Sequence, residues 1–122
     1  MCDLTFIMEI FKMALEPEYG EKLDKIVSHF GIDNQVHKLA EETGEVAGAI
    51  VRYNGGFTAT NNKIQCEIGD VLVILLQLMR HYKVDAGELL EFIKAKPDEV
   101  IEKYYIDGCP EGDIMFGEEY EN

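Results

Sequence analysis

Ile64-Gln65-Cys66-Glu67-Ile68-Gly69-Asp70-Val71-Leu72-Val73-Ile74-Leu75-Leu76-Gln77-Leu78-Met79-Arg80-His81-Tyr82 decides the fold class of this chain of 122 residues. Ile64, Ile68, Val71, Leu75, Leu78 and Tyr82 step by four, three, four, three and four positions. That is the period of a helix seam, not the alternation of a strand. Leu72, Ile74, Leu76 and Met79 widen the apolar surface beyond one seam. Such a helix is expected to be buried centrally or between subunits. Thr60, Asn61 or Asn62 supplies its N-cap.

The helical period extends in both directions. Upstream, Val36, Leu39, Ala40, Thr43, Val46, Ala47 and Ile50 form a second stripe, with Asp33 or Asn34 as cap and Asn54-Gly55-Gly56 as the stop. The flanks of that Asn-Gly-Gly keep helical period, so a loop is expected rather than a hairpin. Leu4, Ile7, Met8, Phe11 and Leu15 mark a first helix that Pro17 interrupts. Tyr19, Leu23, Ile26, Val27 and Phe30 continue the pattern until Gly31, which has the place of a C-terminal cap glycine. Downstream, Val84-Asp85 opens a region in which Leu89, Leu90, Phe92 and Ile93 pack. Pro97 is expected to restart the helix at its first turn, followed by Val100, Ile101, Tyr104 and Tyr105. From Asp107 to Asn122 the pattern is lost in an acidic tail, flexible or ordered by a partner. The expectation is one all-α domain over residues 1–106, a four- to five-helix bundle, with a tail over 107–122.

Composition narrows the function classes. A length of 122 residues with 47% apolar content suits one domain with a core. A lone domain of this size buries a modest share of its surface, which favours helical oligomers. The formal net charge of −13 argues against a nucleic-acid polymer or an anionic membrane as partner, because phosphate tracking needs Lys/Arg patches. Cys2, Cys66 and Cys109 are widely spaced and make no C-x-x-C pair. An odd, scattered count reads as reduced and cytoplasmic rather than as a zinc site. Met1-Cys2-Asp3 lacks a basic n-region, and Glu9 and Lys12 interrupt the apolar stretch, so no signal peptide is expected. No apolar run approaches the roughly 18 residues needed to cross a bilayer.

Two acidic clusters carry the chemistry: Glu41-Glu42-Thr43-Gly44-Glu45 and Glu67-Ile68-Gly69-Asp70. Glu41, Glu42 and Glu45 fall within an arc of about 100°. Glu67 and Asp70 share a face that continues to Ile74, Gln77 and His81. Like charges at this spacing destabilise a helix by a few tenths of a kcal/mol per pair. Gly44 and Gly48 cost up to about 1 kcal/mol each against alanine, but leave a flat surface that a helix or ligand can approach. A purely structural helix gains nothing from either feature. Facing carboxylate pairs repel unless a cation joins them, and hard divalent ions take all-oxygen sites. The double cluster points to Mg²⁺-dependent chemistry on phosphates.

Gly31-Ile32-Asp33-Asn34-Gln35, leading into Lys38-Leu39-Ala40-Glu41-Glu42-Thr43-Gly44-Glu45-Val46, resembles the first motif helix of the MazG-like all-α nucleotide pyrophosphohydrolases. Glu67-Ile68-Gly69-Asp70-Val71-Leu72 resembles the second. The superfamily also includes the dimeric dUTPases and the phosphoribosyl-ATP pyrophosphohydrolases. The similarity runs from about Phe30 to Lys103. It implies a helical bundle assembled as a homodimer or homotetramer. It further implies cleavage between the α- and β-phosphates of a nucleoside triphosphate, giving the monophosphate and pyrophosphate. The metal ligands implied are Glu42, Glu45, Glu67 and Asp70, holding Mg²⁺ or Mn²⁺. Glu41 would orient or deprotonate the attacking water. Lys63 and Lys96 match basic positions of relatives that meet phosphate. Lys103 matches less well, because many relatives place an arginine a little earlier. Lys38 either reaches the site or pairs with Glu42. The chain lacks the tryptophan that some relatives stack on the base. Tyr53, Phe57 and His37 either substitute for it or are packing residues.

Two competing readings differ in kind. Residues 107–118 place Gly112 and Glu118 at calcium-loop positions. However, Cys109 takes a ligand position and no exiting helix follows. The other alternative is a non-catalytic helical dimerisation or regulatory protein, which would tolerate loss of the acids.

Overall fold

The computed structural model describes residues 4–56 and 60–106. Five helices account for almost all of them: α1 Leu4–Leu15, α2 Pro17–Phe30, α3 Ile32–Asn54, α4 Asn61–His81 and α5 Ala86–Lys103. No strand occurs among the described residues, so the all-α reading holds. The tail 107–122 and the candidate calcium loop within it lie outside the described residues, as does Phe57. The chain divides into two compact units at the Val84–Asp85 boundary. The first holds α1 to α4 and the second holds α5.

Local chemistry sets most of the helix ends. Pro17 takes the first position of α2, where a missing N–H is harmless. Thr60 caps α4, its hydroxyl accepting the Lys63 N–H at 3.1 Å. Asp85 caps α5, its carboxylate accepting the Glu88 N–H at 2.8 Å. α3 stops at Asn54, and Gly56 follows with φ of 79°.

Two boundaries differ from the sequence expectation. α3 begins at Ile32, with Gly31 rather than Asp33 or Asn34 at the cap position. Gly31 has φ of 90° and ψ of 145°, and it joins α2 to α3 with no further linker. That φ suits a residue without Cβ. Asn34, already inside α3, turns its amide back and donates to the Phe30 carbonyl at 2.6 Å, closing the end of α2. The second difference is at Pro97. α5 runs through it without a restart. Proline removes one backbone donor, and the bonds on either side carry the helix past the gap.

Within the first unit, α3 and α4 form the most extensive pairing, α2 packs on both, and α1 packs on α2 and α4. Ala14, Leu23 and Leu76 make the buried core, bordered by Ile10, Phe11, Tyr19, Val73 and Met79. Arg80 ties three helices together. Its Nε and Nη2 donate to the two carboxylate oxygens of Asp24 at 2.9 and 2.7 Å, and its Nη1 donates to the Ala14 carbonyl at 3.0 Å. That carbonyl sits in the last turn of α1, where no intrahelical N–H is left to meet it. Gly20 is buried under the same guanidinium.

The apolar seam read along α4 is not the face buried inside this unit. Its buried residues are Glu67, Ile74, Leu76 and Gln77. Ile68, Leu72 and Leu75 remain exposed. On α5 none of the described residues is buried, and Phe92 is 60% exposed. No helix among the described residues is long and apolar enough to cross a membrane.

Candidate metal centre

The α3–α4 pairing brings the two acidic clusters together. The helices run antiparallel, and a ladder of polar side chains marks their register. Gln35 Nε2 donates to Gln77 Oε1 at 2.6 Å, and both residues are buried. About two turns further along α3, Glu42 meets Asp70 and Glu67. One turn further again, Glu45 lies against Glu67. Each step forward on α3 is a step back on α4.

One carboxylate oxygen each from Glu42, Glu67 and Asp70 lies within 4.8 Å of the others. Glu42 is 7% exposed and Glu67 4%, while Asp70 opens to solvent. Each buried glutamate has one oxygen in an ion pair. Glu42 Oε1 lies 3.2 Å from Lys38 Nζ, and Glu67 Oε1 lies 2.8 Å from Lys63 Nζ. The second oxygen of each, Oε2, is buried and has no hydrogen-bond partner. A buried carboxylate oxygen without a partner is costly. The two carboxylates that carry these oxygens converge beside a third acid, an all-oxygen donor set that fits a hard divalent cation.

The charges act on one another. Its hydrogen bond with Glu67 raises the Glu45 carboxyl above the usual range, and the charges of Glu42 and Glu67 push the same way. Lys63, hydrogen-bonded to Glu67, holds that carboxyl below the usual range, and the bond with Glu45 and the Arg52 charge act in the same sense. Lys63 thus favours the ionised form of Glu67, while the neighbouring carboxylates disfavour that of Glu45. Lys38 is raised chiefly by its bond to Glu42, and Lys63 chiefly by its bond to Glu67.

A cavity of about 560 Å³ adjoins the acids, within the size range of small-molecule sites. Phe30, Asn34, Gln35, Lys38, Glu42, Asp70, Val73 and Ile74 line it. Aromatic, amide, cationic and acidic groups therefore face one space.

The remaining sequence candidates are placed as follows. Glu41 is exposed and lies 3.5 Å from Lys38 Nζ. Tyr53 is exposed on the last turn of α3, and His37 is exposed near its start. Lys96 and Lys103 stand on α5, in the second unit. Lys96 pairs with Glu99 at 2.9 Å and sits over the Phe92 ring, and Lys103 sits over the Tyr104 ring. Gly44 has open space where a Cβ would go, so none of the described residues makes the close approach expected there. Sequence reading did not single out the Gln35–Gln77 bond or Arg52. Both stand at α3 positions in register with the acids, but the α4 residues that Gln35 bonds and that the Arg52 charge acts on become visible only once the helices pair.

The family model of the MazG nucleotide pyrophosphohydrolase domain matches residues 30–103. The chain belongs to this family. The matched span takes in both acidic clusters and the whole of α3, α4 and α5. Neither the curated proteins nor the solved structures provide a match. The MazG assignment agrees with the all-helical fold and gives the coarse activity class, a nucleotide pyrophosphohydrolase.

Proposed function

We propose that this chain is a Mg²⁺-dependent nucleoside triphosphate pyrophosphohydrolase that cleaves between the α- and β-phosphates, releasing the nucleoside monophosphate and pyrophosphate. The observation that carries this reading is the pair of buried, unpartnered oxygens of Glu42 and Glu67 beside Asp70. Glu42, Glu67 and Asp70, with Glu45 against them, would hold the ion. When bound, the ion supplies neutralisation of phosphate charge and a lowered pKa for a water molecule. Mn²⁺ suits the same oxygen donors.

The chain's own groups supply the rest. Glu41, exposed beside Lys38, accepts a hydrogen bond from the attacking water and takes its proton. Lys38 and Lys63 neutralise phosphate oxygens from either end of the acid cluster, exchanging their carboxylate partners for the substrate. The cavity beside Phe30 and Asn34 takes the nucleoside; Tyr53, roughly 28 Å further along the axis of α3, does not reach the base there. No Ser, Cys or His nucleophile is needed.

Self-association belongs to the same proposal. Ile68, Leu72 and Leu75 form an exposed apolar row on α4, and Ile50 and Val51 are exposed on α3. A second copy of the chain covers such a surface, giving a homodimer or homotetramer. The net charge and cysteine usage favour a cytoplasmic setting without nucleic-acid or membrane partners.

The test is pyrophosphate release from a panel of standard, deoxy and modified nucleoside triphosphates, with Mg²⁺ or with a chelator. Release that needs the metal, and that is lost in Glu42→Gln and Glu67→Gln while helix content is retained, is the expected result. Silence from the whole panel overturns the assignment. A non-catalytic scaffold would keep its assembly in both variants and respond to no metal.

A further inference from the structure

The end of the α3–α4 groove beyond the acids carries a cation that the reaction described above does not use. Arg52 lies seven residues after Glu45 on α3. At 3.6 residues per turn the two directions differ by about 20°, and the axial separation is roughly 10 Å. Gly48 lies between them. A Cβ on Gly48 would sit 3.2 Å from Arg52 Nη1, 3.8 Å from Cζ and 3.9 Å from Nη2. The guanidinium is therefore folded back over Gly48, toward Glu45, in space that a side chain would occupy. The Arg52 charge acts on Glu67 and on Lys63, which places it at the Lys63 end of the groove.

Lys63 already has the Glu67 carboxylate at 2.8 Å. Among the described residues no carboxylate lies within 4.0 Å of Arg52. A guanidinium and an ammonium brought to one end of a groove repel each other unless an anion joins them. The planar guanidinium fork matches phosphate oxygens two at a time. The opposite end of the groove offers a different chemistry: the cavity with Phe30, Asn34 and the buried Gln35. The groove thus has a polarity, with amides and a ring at one end, acids in the middle and cations at the other.

We propose that Arg52, seated over Gly48, is a substrate-binding residue that holds the β- and γ-phosphates, so that the nucleoside triphosphate lies along the α3–α4 groove with its nucleoside in the cavity by Phe30 and its diphosphate at the Arg52–Lys63 end. This rests on the pyrophosphohydrolase reading. In that reaction a water oxygen bonds to phosphorus and the α–β bridging P–O bond breaks. The electron pair of that bond stays on the bridging oxygen, and the water's proton passes to Glu41. Arg52 exchanges no proton. It grips the part of the substrate that departs as pyrophosphate, so it contacts substrate and product alike.

The experiment compares the full-length chain with Arg52→Ala, Arg52→Lys and Gly48→Ala. Two readouts are used: inhibition of turnover by pyrophosphate and by nucleoside monophosphate, and calorimetric binding of Mg²⁺-pyrophosphate. Arg52 is exposed, so its variants are expected to keep the helix content of the parent. Loss of a charged hydrogen-bonding group weakens its ligand by about 10- to 100-fold. Arg52→Ala should weaken pyrophosphate by that factor in both readouts and leave the monophosphate unchanged. Arg52→Lys should recover part of the loss. Gly48→Ala, which displaces the guanidinium while leaving its charge, should fall between. Unchanged pyrophosphate affinity in Arg52→Ala, or equal weakening of both products, overturns the proposal. A parent enzyme that releases no pyrophosphate from any substrate instead overturns the reaction on which it rests, and the calorimetric arm still reads Arg52 directly.

Discussion

Gly20→Ala should change sign with its surroundings, and the structure says by how much. A Cβ at Gly20 would lie 2.5 Å from Arg80 Cζ and 2.8 Å from Nη2. A free arginine would swing aside at little cost, but this one is pinned at three points by Asp24 and the Ala14 carbonyl. The Asp24 side chain is 55% exposed, so that ion pair contributes at most about 1 kcal/mol. The bond from a charged donor to the Ala14 carbonyl contributes about 1.5–3 kcal/mol. Alanine in a helix interior returns up to about 1 kcal/mol relative to glycine. The net expectation for Gly20→Ala is destabilisation by about 2 kcal/mol. In an Arg80→Ala background nothing remains to displace, and the same substitution should stabilise by about 0.5–1 kcal/mol. The assay is urea unfolding followed by far-UV circular dichroism for the four chains of this double-mutant cycle, read at unchanged denaturant slope. Equal effects of Gly20→Ala in the two backgrounds would refute the pinned-arginine account.

Three further outcomes are expected. Mg²⁺ at about 100 times its Kd should stabilise the fold by about 2.7 kcal/mol, raising the melting temperature by several degrees, with a smaller gain in Asp70→Asn. An identical gain in that variant would place the ion elsewhere. Gln35→Leu should destabilise by about 1–3 kcal/mol, because it leaves the buried Gln77 amide unpaired. Changing both glutamines to leucine should recover much of the loss, and additive losses would contradict the pairing. Arg80 holds the Asp24 carboxyl below the usual range. A depressed folded pKa adds stability that is present above the unfolded value of about 3.9 and is lost as pH falls through the folded one. Asp24→Asn should therefore lose less stability than the parent over that acid window, and superimposable acid limbs would sink this reading.

The helices themselves were legible because apolar spacing and stop residues are local signals: Leu23 falls on its stripe, the buried Ala49 and Ile74 lie beside theirs, and Pro17, Gly31 and Asn54-Gly55-Gly56 fall at the ends. The convergence of Glu42, Glu67 and Asp70 could be anticipated from two clusters that each make little structural sense alone. Which row of α4 faces inward could not. Several rows there are apolar, and the buried one carries Glu67 and Gln77, whose polarity hides their burial until the partners on α3 are known. Arg80 was invisible for the same reason, its carboxylate partner being 56 residues away. The Asp33 or Asn34 cap was misassigned because both residues carry capping side chains, whereas the backbone turns earlier, at the one residue able to take a positive φ. Pro97 misled because proline usually marks a helix start, yet here the helix absorbs it.

The joint at Gly31 has a consequence for how such a chain can diversify. Gly31 donates its N–H to the Val27 carbonyl at 2.8 Å and accepts the Gln35 N–H on its own carbonyl at 3.1 Å, so one residue closes one helix and starts the next. There is no slack in it. One additional residue in the first turn of α3 would rotate everything before it against everything after it by about 100°. Phe30 and Asn34 would part company, and the wall of the cavity would separate from the acids. Gains and losses of length during descent are therefore barred from this joint, and an engineer wishing to insert a tag or a reporter should leave it intact.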